Sequence, residues 1–222
     1  MIQRNIVKAK TFINDSVSRV RGADGPSVNS SNSNNSLPGW MVFAREVFRN
    51  PKAMGAACES SPRLAKAIAD FIPIDEPNCV VELGGGTGRV TEALLQHGIA
   101  PNKLISIELS SAFADFLKHK FPQVRVIKGN ALHLTELLGQ DSENINTVIC
   151  GLPFRTLPHM QVRDIVKQID DIISKNDGIY VQFTYDLSGS APFLPHHFKR
   201  INHKIIWRNI PPARINVYKS ER

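Results

Sequence analysis

The sequence has little cysteine and no long apolar run, and each shortage excludes a class of protein. Its three cysteines, Cys58, Cys79 and Cys150, are far apart and odd in number, which argues against a disulfide framework. Their spacing does not match a zinc site, and we expect no metal. Cys79 and Cys150 lie in apolar runs and are expected to be small buried side chains in a reducing compartment. No apolar run approaches the ~20 residues of a membrane-spanning helix.

Acidic residues are also scarce relative to basic ones. The chain of 222 residues carries a formal net charge of +7 and has a pI of about 9.5. Such an excess favours a polyanionic partner, either nucleic acid or an anionic membrane surface, and charge alone does not choose between them. The length is sufficient for one sizeable core but not for two full domains.

Residues 1–36 are predicted to be a basic, partly disordered tail that ends in a linker. Residues 1–22 place apolar positions near helical spacing and contain a single acid, Asp15. Three interpretations stay open for them: a helix on a membrane surface, a transit peptide and a solvated tail. Residues 23–36 are rich in Gly, Ser, Asn and Pro and have no apolar surface to bury, so we expect them to be mobile.

Residues 37–73 are predicted to form N-terminal helices. Trp40, Phe43 and Val47 share one face of a helical pattern. That face suits an interfacial helix, a lid over a ligand site or a helix packed on the core. A second helix is expected to begin at Pro62 after a capping serine and to end before Pro73.

From Cys79 onwards, strand-like and helix-like patterns alternate. Such alternation predicts right-handed crossovers and a parallel sheet covered on both faces. The last two β-rich runs are joined by a short connection and are predicted to form an antiparallel hairpin. Residues 74–222 are therefore expected to be an α/β domain with a doubly wound, seven-stranded, mostly parallel sheet. The predicted strands are 79–83, 104–108, 124–128, 147–150, 179–184, 204–208 and 214–218, and the predicted helices are 87–97, 111–120, 132–138, 160–174 and 195–201.

One stretch at the junction of the first strand and the next helix has the pattern Glu-x-Gly-x-Gly-x-Gly. Glycines at alternate positions allow positive φ angles and let a ligand approach the backbone closely. The third glycine comes one position too early for the dinucleotide pattern G-x-G-x-x-G. The spacing resembles the cofactor loop of S-adenosylmethionine-dependent methyltransferases. The resemblance implies that Gly84, Gly86, Thr87 and Gly88 surround the methionyl part of that cofactor and that Glu82 faces its ammonium group.

Further polar groups stand at the ends of the next strands, where doubly wound sheets bind their ligands. Glu108 ends the second strand, beside Leu109, and can accept hydrogen bonds from ribose hydroxyls. Asn130 and Ala131 follow the third strand, where an acceptor oxygen can bind the adenine amino group, and Gly151 follows the fourth. Together these positions predict S-adenosylmethionine as the cofactor, with NAD as the alternative.

A more specific resemblance rests on the motifs Gly151-Leu152-Pro153-Phe154, Gln182-Phe183-Thr184-Tyr185 and Asn209-Ile210-Pro211-Pro212-Ala213, together with residues 50–56. These segments look like those of the bacterial phospholipid N-methyltransferases, and the likeness covers about residues 43–218. It implies stepwise methylation of phosphatidylethanolamine, and a more distant similarity to the ribosomal RNA adenine dimethylases.

The same resemblance implies an acceptor site. Tyr185 is the expected group that orients the amine, and Pro153 and Phe154 line the site. Phe154 either contacts the cofactor's sulfonium by a cation–π interaction or packs in the core. The alternatives to Tyr185 as a weak base are His159, His196 and His197. The candidates for holding lipid phosphate are Lys199, Arg200, Lys204, Arg208 and Arg214.

We therefore expect a methyltransferase that works peripherally on the inner face of the cytoplasmic membrane. Its expected partners are an anionic phospholipid membrane and a lipid amine, with nucleic acid less favoured. An RNA adenine N6-methyltransferase is the alternative, although Gly151 stands where such an enzyme would need an Asn side chain. A non-catalytic scaffold that binds the cofactor or the membrane is the third hypothesis.

Overall fold

The structure, a computed structural model, describes residues 60–74 and 79–222. The predicted tail, the linker, the aromatic helix around Trp40 and the segment 50–56 lie outside the described residues, and so does Cys58. The α-helices are α1 (Pro62–Ala69), α2 (Arg89–His97), α3 (Ser111–Lys120), α4 (Leu134–Leu138) and α5 (His159–Ile173). The strands are β1 (Cys79–Leu83), β2 (Leu104–Glu108), β3 (Arg125–Lys128), β4 (Ile145–Cys150), β5 (Ile179–Thr184), β6 (Phe198–Ile206) and β7 (Ala213–Ser220). Short 3-10 helices cover Pro101–Lys103, Ala131–His133, Gly139–Asn144 and Ser174–Asn176.

The seven strands form one sheet in the order β3-β2-β1-β4-β5-β7-β6. The first five strands are parallel to one another, whereas β7 runs antiparallel to both β5 and β6. The strand order reverses direction beside β1, which is the switch point of a doubly wound fold. The predicted fold class is thereby confirmed, including the terminal hairpin.

Apolar side chains on the two faces of the sheet build two cores. One, which we call the α5 core, joins Val162, Ile165 and Ile169 of α5 to inward residues of the central strands. The other, the α1 core, joins the apolar residues of α1, α2 and α3 to the opposite face. β1, β2 and β4 are buried along nearly their whole length, as expected for parallel strands that are covered on both sides.

The helix predicted for residues 195–201 is wrong. β6 begins at Phe198, and its middle residues are exposed. β6 is an edge strand with a register shift between Arg200 and Asn202. The predicted strand 204–208 covers only the last three residues of β6, and residues 207–208 belong to the turn that follows. Because neither face of the middle part of β6 is buried, that part shows no two-residue alternation of apolar and polar residues. A smaller difference concerns α2, which begins at Arg89 because Gly88 stands in the left-handed conformation, with φ of 75°.

The antiparallel hairpin brings its own turn to the ligand-binding side of the sheet. Arg214 near the start of β7 pairs with Thr184 at the end of β5, and Ala213 pairs with Ile206 at the end of β6. The β6–β7 turn, residues 207–212, therefore lies at the carboxyl ends of the parallel strands, which we call the carboxyl edge. Among the described helices, none is both long enough and apolar enough to cross a membrane.

Candidate cofactor and acceptor site

Backbone hydrogen bonds tie together the loops that leave the carboxyl edge. Gly84 N donates to Ile107 O at 2.8 Å, Gly129 N donates to Glu108 O at 3.0 Å, and Gly151 N donates to Leu83 O at 2.9 Å. The loops after β1, β2, β3 and β4 are thus held side by side. The four strand ends at which the sequence analysis predicted cofactor contacts, those of β1, β2, β3 and β4, therefore lie in one region.

The glycine loop after β1 is compact on its inner side and open on its outer side. Gly84, Gly86 and Gly88 all have positive φ angles, of 82°, 51° and 75°. A Cβ added at Gly85 would lie 2.3 Å from Ser106 Oγ and 2.7 Å from a Leu117 methyl group, so a side chain has no room there. A Cβ at Gly86 would meet only Gly84 O, at 3.9 Å. A ligand can therefore approach the backbone at Gly86 closely.

Glu108 connects the glycine loop to the end of β2. Its Oε2 accepts a hydrogen bond from Gly86 N at 2.9 Å, and its Oε1 accepts one from Ser110 N at 2.8 Å. Each carboxylate oxygen can accept a second hydrogen bond. The side chain is therefore fixed in orientation and retains acceptor capacity for the two hydroxyls of a ribose.

The remaining cofactor candidates line the same edge in different ways. Asn130 Oδ1 accepts a hydrogen bond from Leu132 N at 3.1 Å and so caps the 3-10 helix that follows β3. Ala131 is buried and Leu109 is half-buried. A Cβ on Gly151 would lie 3.3 Å from Leu83 O and 3.4 Å from Gly84 O, so the end of β4 passes close to the glycine loop and a side chain at this position would be tightly packed.

Glu82 lies beneath the loop and is only 3% exposed. Its Oε2 accepts hydrogen bonds from the hydroxyls of Thr91 on α2 and Ser106 on β2. Burial raises the pKa of Glu82 to about 7, although the hydrogen bonds from Thr91 and Ser106 lower it. A buried carboxyl with such a pKa is poised to respond to a neighbouring cation.

Thr91 and Ser106 are site residues that the sequence analysis missed. Ser106 is a polar residue in the middle of an otherwise apolar strand, and Thr91 occupies a buried position of α2. A fully buried hydroxyl needs a hydrogen-bond partner. Two hydroxyl residues at positions expected to be buried, together with an acid on the buried strand β1, were therefore the feature of the sequence that could have identified them.

On the acceptor side, the Pro153 carbonyl is already engaged. It accepts hydrogen bonds from Thr156 N and from Thr156 Oγ1, both at 2.9 Å. A carbonyl oxygen has two lone pairs, and Thr156 uses both, so the Pro153 carbonyl has no lone pair left for a substrate amine. Phe154 is buried in the α5 core, with its ring edge-on to Phe193 at a centroid distance of 5.2 Å.

Tyr185 and the histidines lie in different parts of the sheet. Tyr185 follows the end of β5, is half-buried and packs against the α1 core, so it belongs to the other core from Phe154. His159 begins α5 and is exposed. The placement of His196 and His197 as alternative bases is wrong, because β6 starts immediately after them at the opposite end of the sheet. His197 Nε2 instead pairs with Asp170 Oδ2 at 2.8 Å.

The nearby thiol and the described metal-ligating side chains are two other candidates for a chemical role. Burial raises the pKa of the Cys150 thiol to about 12, which makes it a buried, inert group. Within residues 60–74 and 79–222, no group of His, Cys, Asp and Glu side chains is arranged to hold a metal ion.

Comparison with known proteins agrees with this geometry. Residues 80–176 match the family model described as a methyltransferase domain. The chain is 27% identical over 178 residues to the ornithine lipid N-methyltransferase of Singulisphaera acidiphila, covering 78% of this chain and 92% of that protein. The chain is an S-adenosylmethionine-dependent methyltransferase. S-adenosylmethionine is its cofactor.

Other similarities of this methyltransferase are more distant. It is 27% identical over 106 residues to the ribosomal RNA small subunit methyltransferase A of Maridesulfovibrio salexigens, covering 48% of this chain and 39% of that protein. Among solved structures, the 1,6-didemethyltoxoflavin-N1-methyltransferase of Burkholderia thailandensis superposes with a TM-score of 0.59 at 14% identity, over 90% of this chain and 100% of that one. The magnesium protoporphyrin IX methyltransferase of Synechocystis gives a TM-score of 0.58 at 13% identity, over 85% of this chain and 100% of that one. These two likenesses show the class I fold.

Proposed function

We propose that the protein transfers methyl groups from S-adenosylmethionine to the amine of phosphatidylethanolamine, and of its methylated derivatives, at the inner surface of the cytoplasmic membrane. The observation that carries the proposal is an exposed apolar turn at the carboxyl edge. Trp207 and Ile210 in the β6–β7 turn are 68% and 77% exposed, and Met160 at the start of α5 is 66% exposed. They are three of the five large hydrophobic side chains exposed in the described part of the chain.

The β6–β7 turn is held in one shape while it presents these side chains. Asn209 is buried, its N–H donates to Ile206 O at 3.2 Å, and its Nδ2 donates to Pro211 O at 2.7 Å. Trp207 and Ile210 are thereby exposed on a turn that hydrogen bonds hold in place, next to the exposed Arg208. A tryptophan beside an arginine suits the interface between lipid head groups and acyl chains.

Two further observations support a lipid amine as acceptor. One relative, an ornithine lipid N-methyltransferase, is matched over 92% of its length, and ornithine lipid also carries an amine. The net charge of +7 agrees with an anionic membrane surface, although it does not distinguish such a surface from nucleic acid. The predicted tail and N-terminal helices remain part of the proposal as additional membrane contacts, with 1–36, 37–73 and 74–222 as the proposed units.

The protein's chemical task is mainly alignment. The cofactor supplies a methyl group on an activated sulfonium, so the chain has to bring the amine into line and exclude water. A primary amine with a reference pKa of ~10.4 must first lose a proton. We assign Tyr185 to accept a hydrogen bond from that amine, Gly84, Gly86, Thr87 and Gly88 to enclose the methionyl part, and Glu108 to bind the ribose.

Methyl transfer to vesicles tests the proposal directly. Purified protein is incubated with radiolabelled S-adenosylmethionine and phosphatidylglycerol vesicles that contain phosphatidylethanolamine, and the lipids are separated by thin-layer chromatography. We expect label in mono-, di- and trimethylated phosphatidylethanolamine. The absence of label from every lipid, with cofactor binding intact, would contradict the proposal.

Variants of the turn test the membrane contact separately. Trp207→Ser combined with Ile210→Ser should weaken vesicle sedimentation and methylation of vesicle lipid, while methylation of a soluble short-chain phosphatidylethanolamine persists. Ile201→Ser is the matched control, since Ile201 is also exposed but lies in the middle of β6. If the double variant and the control behave alike, the turn does not contact the membrane.

RNA adenine N6-methylation is the second candidate. The similarity to ribosomal RNA small subunit methyltransferases favours it, although only about two-fifths of those relatives is matched. Gly151 supplies no side chain for a planar base, and Thr156 occupies the Pro153 carbonyl. Small-subunit ribosomal RNA in the same labelling assay decides between the two acceptors.

A further inference from the structure

Arg214 is a buried cation without a carboxylate partner. It lies near the start of β7 and is 8% exposed. Its Nε donates to Asn216 Oδ1 at 2.9 Å, and its Nη1 donates to Leu187 O at 3.1 Å. No carboxylate of residues 60–74 or 79–222 forms a salt bridge with it. A buried charge held only by neutral acceptors is costly to the folded protein unless a counter-ion arrives.

A second guanidinium lies against the same point of the backbone. Gly189 has φ of 74°, and a Cβ added there would lie 2.8 Å from Arg214 Nη2 and 3.0 Å from Arg200 Nη1. Both nitrogens are within 3.0 Å of one position, so they are at most about 6 Å apart. Arg200 Nη1 also donates to Gly189 O at 2.8 Å. Two cations are thus held close together by main-chain carbonyl groups and the Asn216 amide oxygen rather than by acids.

A buried hydroxyl stands next to this pair. Tyr218 is 4% exposed, no group accepts a hydrogen bond from its hydroxyl, and the residue is in register with Arg200, which lies close enough to donate to the phenol oxygen. Arg200 and Arg214 both lower the pKa of Tyr218, although burial raises it further. The phenol is therefore within the electrostatic reach of both guanidiniums, and its proton is free to be donated.

The other charged groups around the pair do not neutralise it. His203 of β6 is in register with Asn216 and adds no negative charge. Asp186 is the acid in the loop that covers Arg214, but its Oδ2 pairs with Arg155 and its Oδ1 accepts a hydrogen bond from Ser188 N. The local charge is therefore positive.

This cluster lies beside the candidate acceptor site. Arg214 is in register with Thr184, the last residue of β5. The loop that supplies Leu187 and Gly189 continues into Phe193, whose ring packs on Phe154. The cationic pair and the acceptor side of the carboxyl edge are thus joined by one short loop.

We propose that Arg214 and Arg200, together with the Tyr218 hydroxyl, form a subsite for the oxyanion of a zwitterionic lipid head group. The inference rests on the proposed function, because the oxyanion accompanies the amine that accepts the methyl group. Guanidinium groups bind phosphate and carboxylate in the same forked geometry. The shared ligand chemistry is an oxyanion separated from an amine by a short chain, which both phosphatidylethanolamine and ornithine lipid provide. The subsite selects such lipids over simple cationic amines.

Three acceptors in the same phosphatidylglycerol vesicles test the subsite: phosphatidylethanolamine, ornithine lipid and stearylamine, which has no oxyanion. Wild-type protein should prefer the two zwitterionic lipids, and the better of the two identifies phosphate or carboxylate as the ligand. Arg214→Gln and Arg200→Gln should raise KM for the preferred lipid by about tenfold or more, the value of a lost charged hydrogen bond. KM for stearylamine should stay unchanged, as should both values in the control Arg163→Gln, an exposed position on α5.

Several outcomes would overturn the subsite. The subsite is rejected if wild-type protein methylates stearylamine with the same KM as phosphatidylethanolamine. It is also rejected if the variants lose activity on all three amines equally. If Arg214→Gln is unfolded by circular dichroism, the exposed Arg200→Gln carries the test. If no lipid is methylated, the proposed function fails, and calorimetric titration with inorganic phosphate then tests the subsite alone. Binding by wild-type protein that Arg200→Gln abolishes supports it, and the absence of binding rejects it.

Discussion

The buried carboxyl of Glu82 should make the stability of the protein depend on pH in a predictable direction. Its environment consists of the Thr91 and Ser106 hydroxyls within the α1 side of the sheet, with Glu108 nearby as a second acid. Burial is the main reason that its pKa rises to about 7. The informative perturbation is Glu82→Gln, which keeps the shape and an acceptor oxygen but cannot ionise.

The magnitude follows from the pKa shift. The pKa of Glu82 is 4.5 in the absence of a shift and about 7 in the folded protein. Between these values the folded state binds more protons than the unfolded state, so stability falls as the pH rises through this window. At 1.36 kcal/mol for each pKa unit, the loss across the window is about 3 kcal/mol. It is absent below pH 4.5 and complete above pH 7.

Urea unfolding of both proteins at pH 5, 6, 7 and 8 measures this effect. The free energy of unfolding of Glu82→Gln relative to wild type should increase by about 2.5 kcal/mol from pH 5 to pH 8, mostly between pH 5 and 7, because part of the loss has already occurred at pH 5. Asp115→Asn, an exposed carboxyl on α3, should run parallel to wild type. If Glu82→Gln also runs parallel to wild type, Glu82 is ionised throughout and the reasoning from burial is refuted.

Three other changes have defined outcomes. Glu108→Gln replaces an acceptor of Gly86 N or Ser110 N with a donor and should weaken binding of S-adenosylmethionine about tenfold or more by calorimetry; unchanged affinity would contradict its role. Gly88→Ala would place a Cβ 2.5 Å from the Phe121 ring and should destabilise the protein by about 1–3 kcal/mol in urea, whereas an unaltered unfolding midpoint would contradict this. Burial raises the pKa of Asp170, but hydrogen bonds from Ser220, His197 and Ser174 hold it below 3.8. Asp170→Asn should therefore destabilise the protein at pH 7 and much less at pH 3, and equal losses at both would count against the paired carboxylate.

Elements buried on both sides were predictable from the sequence. β1, β2, β5 and α3 begin and end where their apolar patterns predict, because continuous β-branched runs and a helical stripe each match one type of burial. The first part of β6 was not predictable, and the predicted strand 204–208 covers only its last three residues. That first part mostly faces solvent at the sheet edge, so its residues are mostly polar and lack the alternation of apolar and polar side chains that would indicate a strand.

The error at β6 also moved part of the predicted site. A helix over residues 195–201 would have placed His197 on that helix, just after the loop that leaves the carboxyl end of β5. A strand that starts at Phe198 and runs antiparallel to β7 places His197 at the far end of the sheet, against Asp170. By contrast, Gly84, Gly86, Gly88 and Glu108 were identifiable because a tight strand-to-helix turn and a terminal acid are local features. The contacts of Thr91 and Ser106 with Glu82 depend on which elements pack together, and a local sequence pattern does not predict that packing.

The hairpin geometry connects the proposed membrane contact with the proposed oxyanion subsite. The same two strands carry the exposed apolar turn and Arg214, which lies two residues beyond Pro212. At ~3.3 Å per residue, Arg214 is roughly 7 Å along the strand from the end of the turn. That depth is comparable to the thickness of the head-group region into which an amphipathic segment is buried, about 5–10 Å. A lipid could therefore place its oxyanion against Arg214 while its acyl chains stay in the bilayer, so the enzyme has no need to extract its substrate.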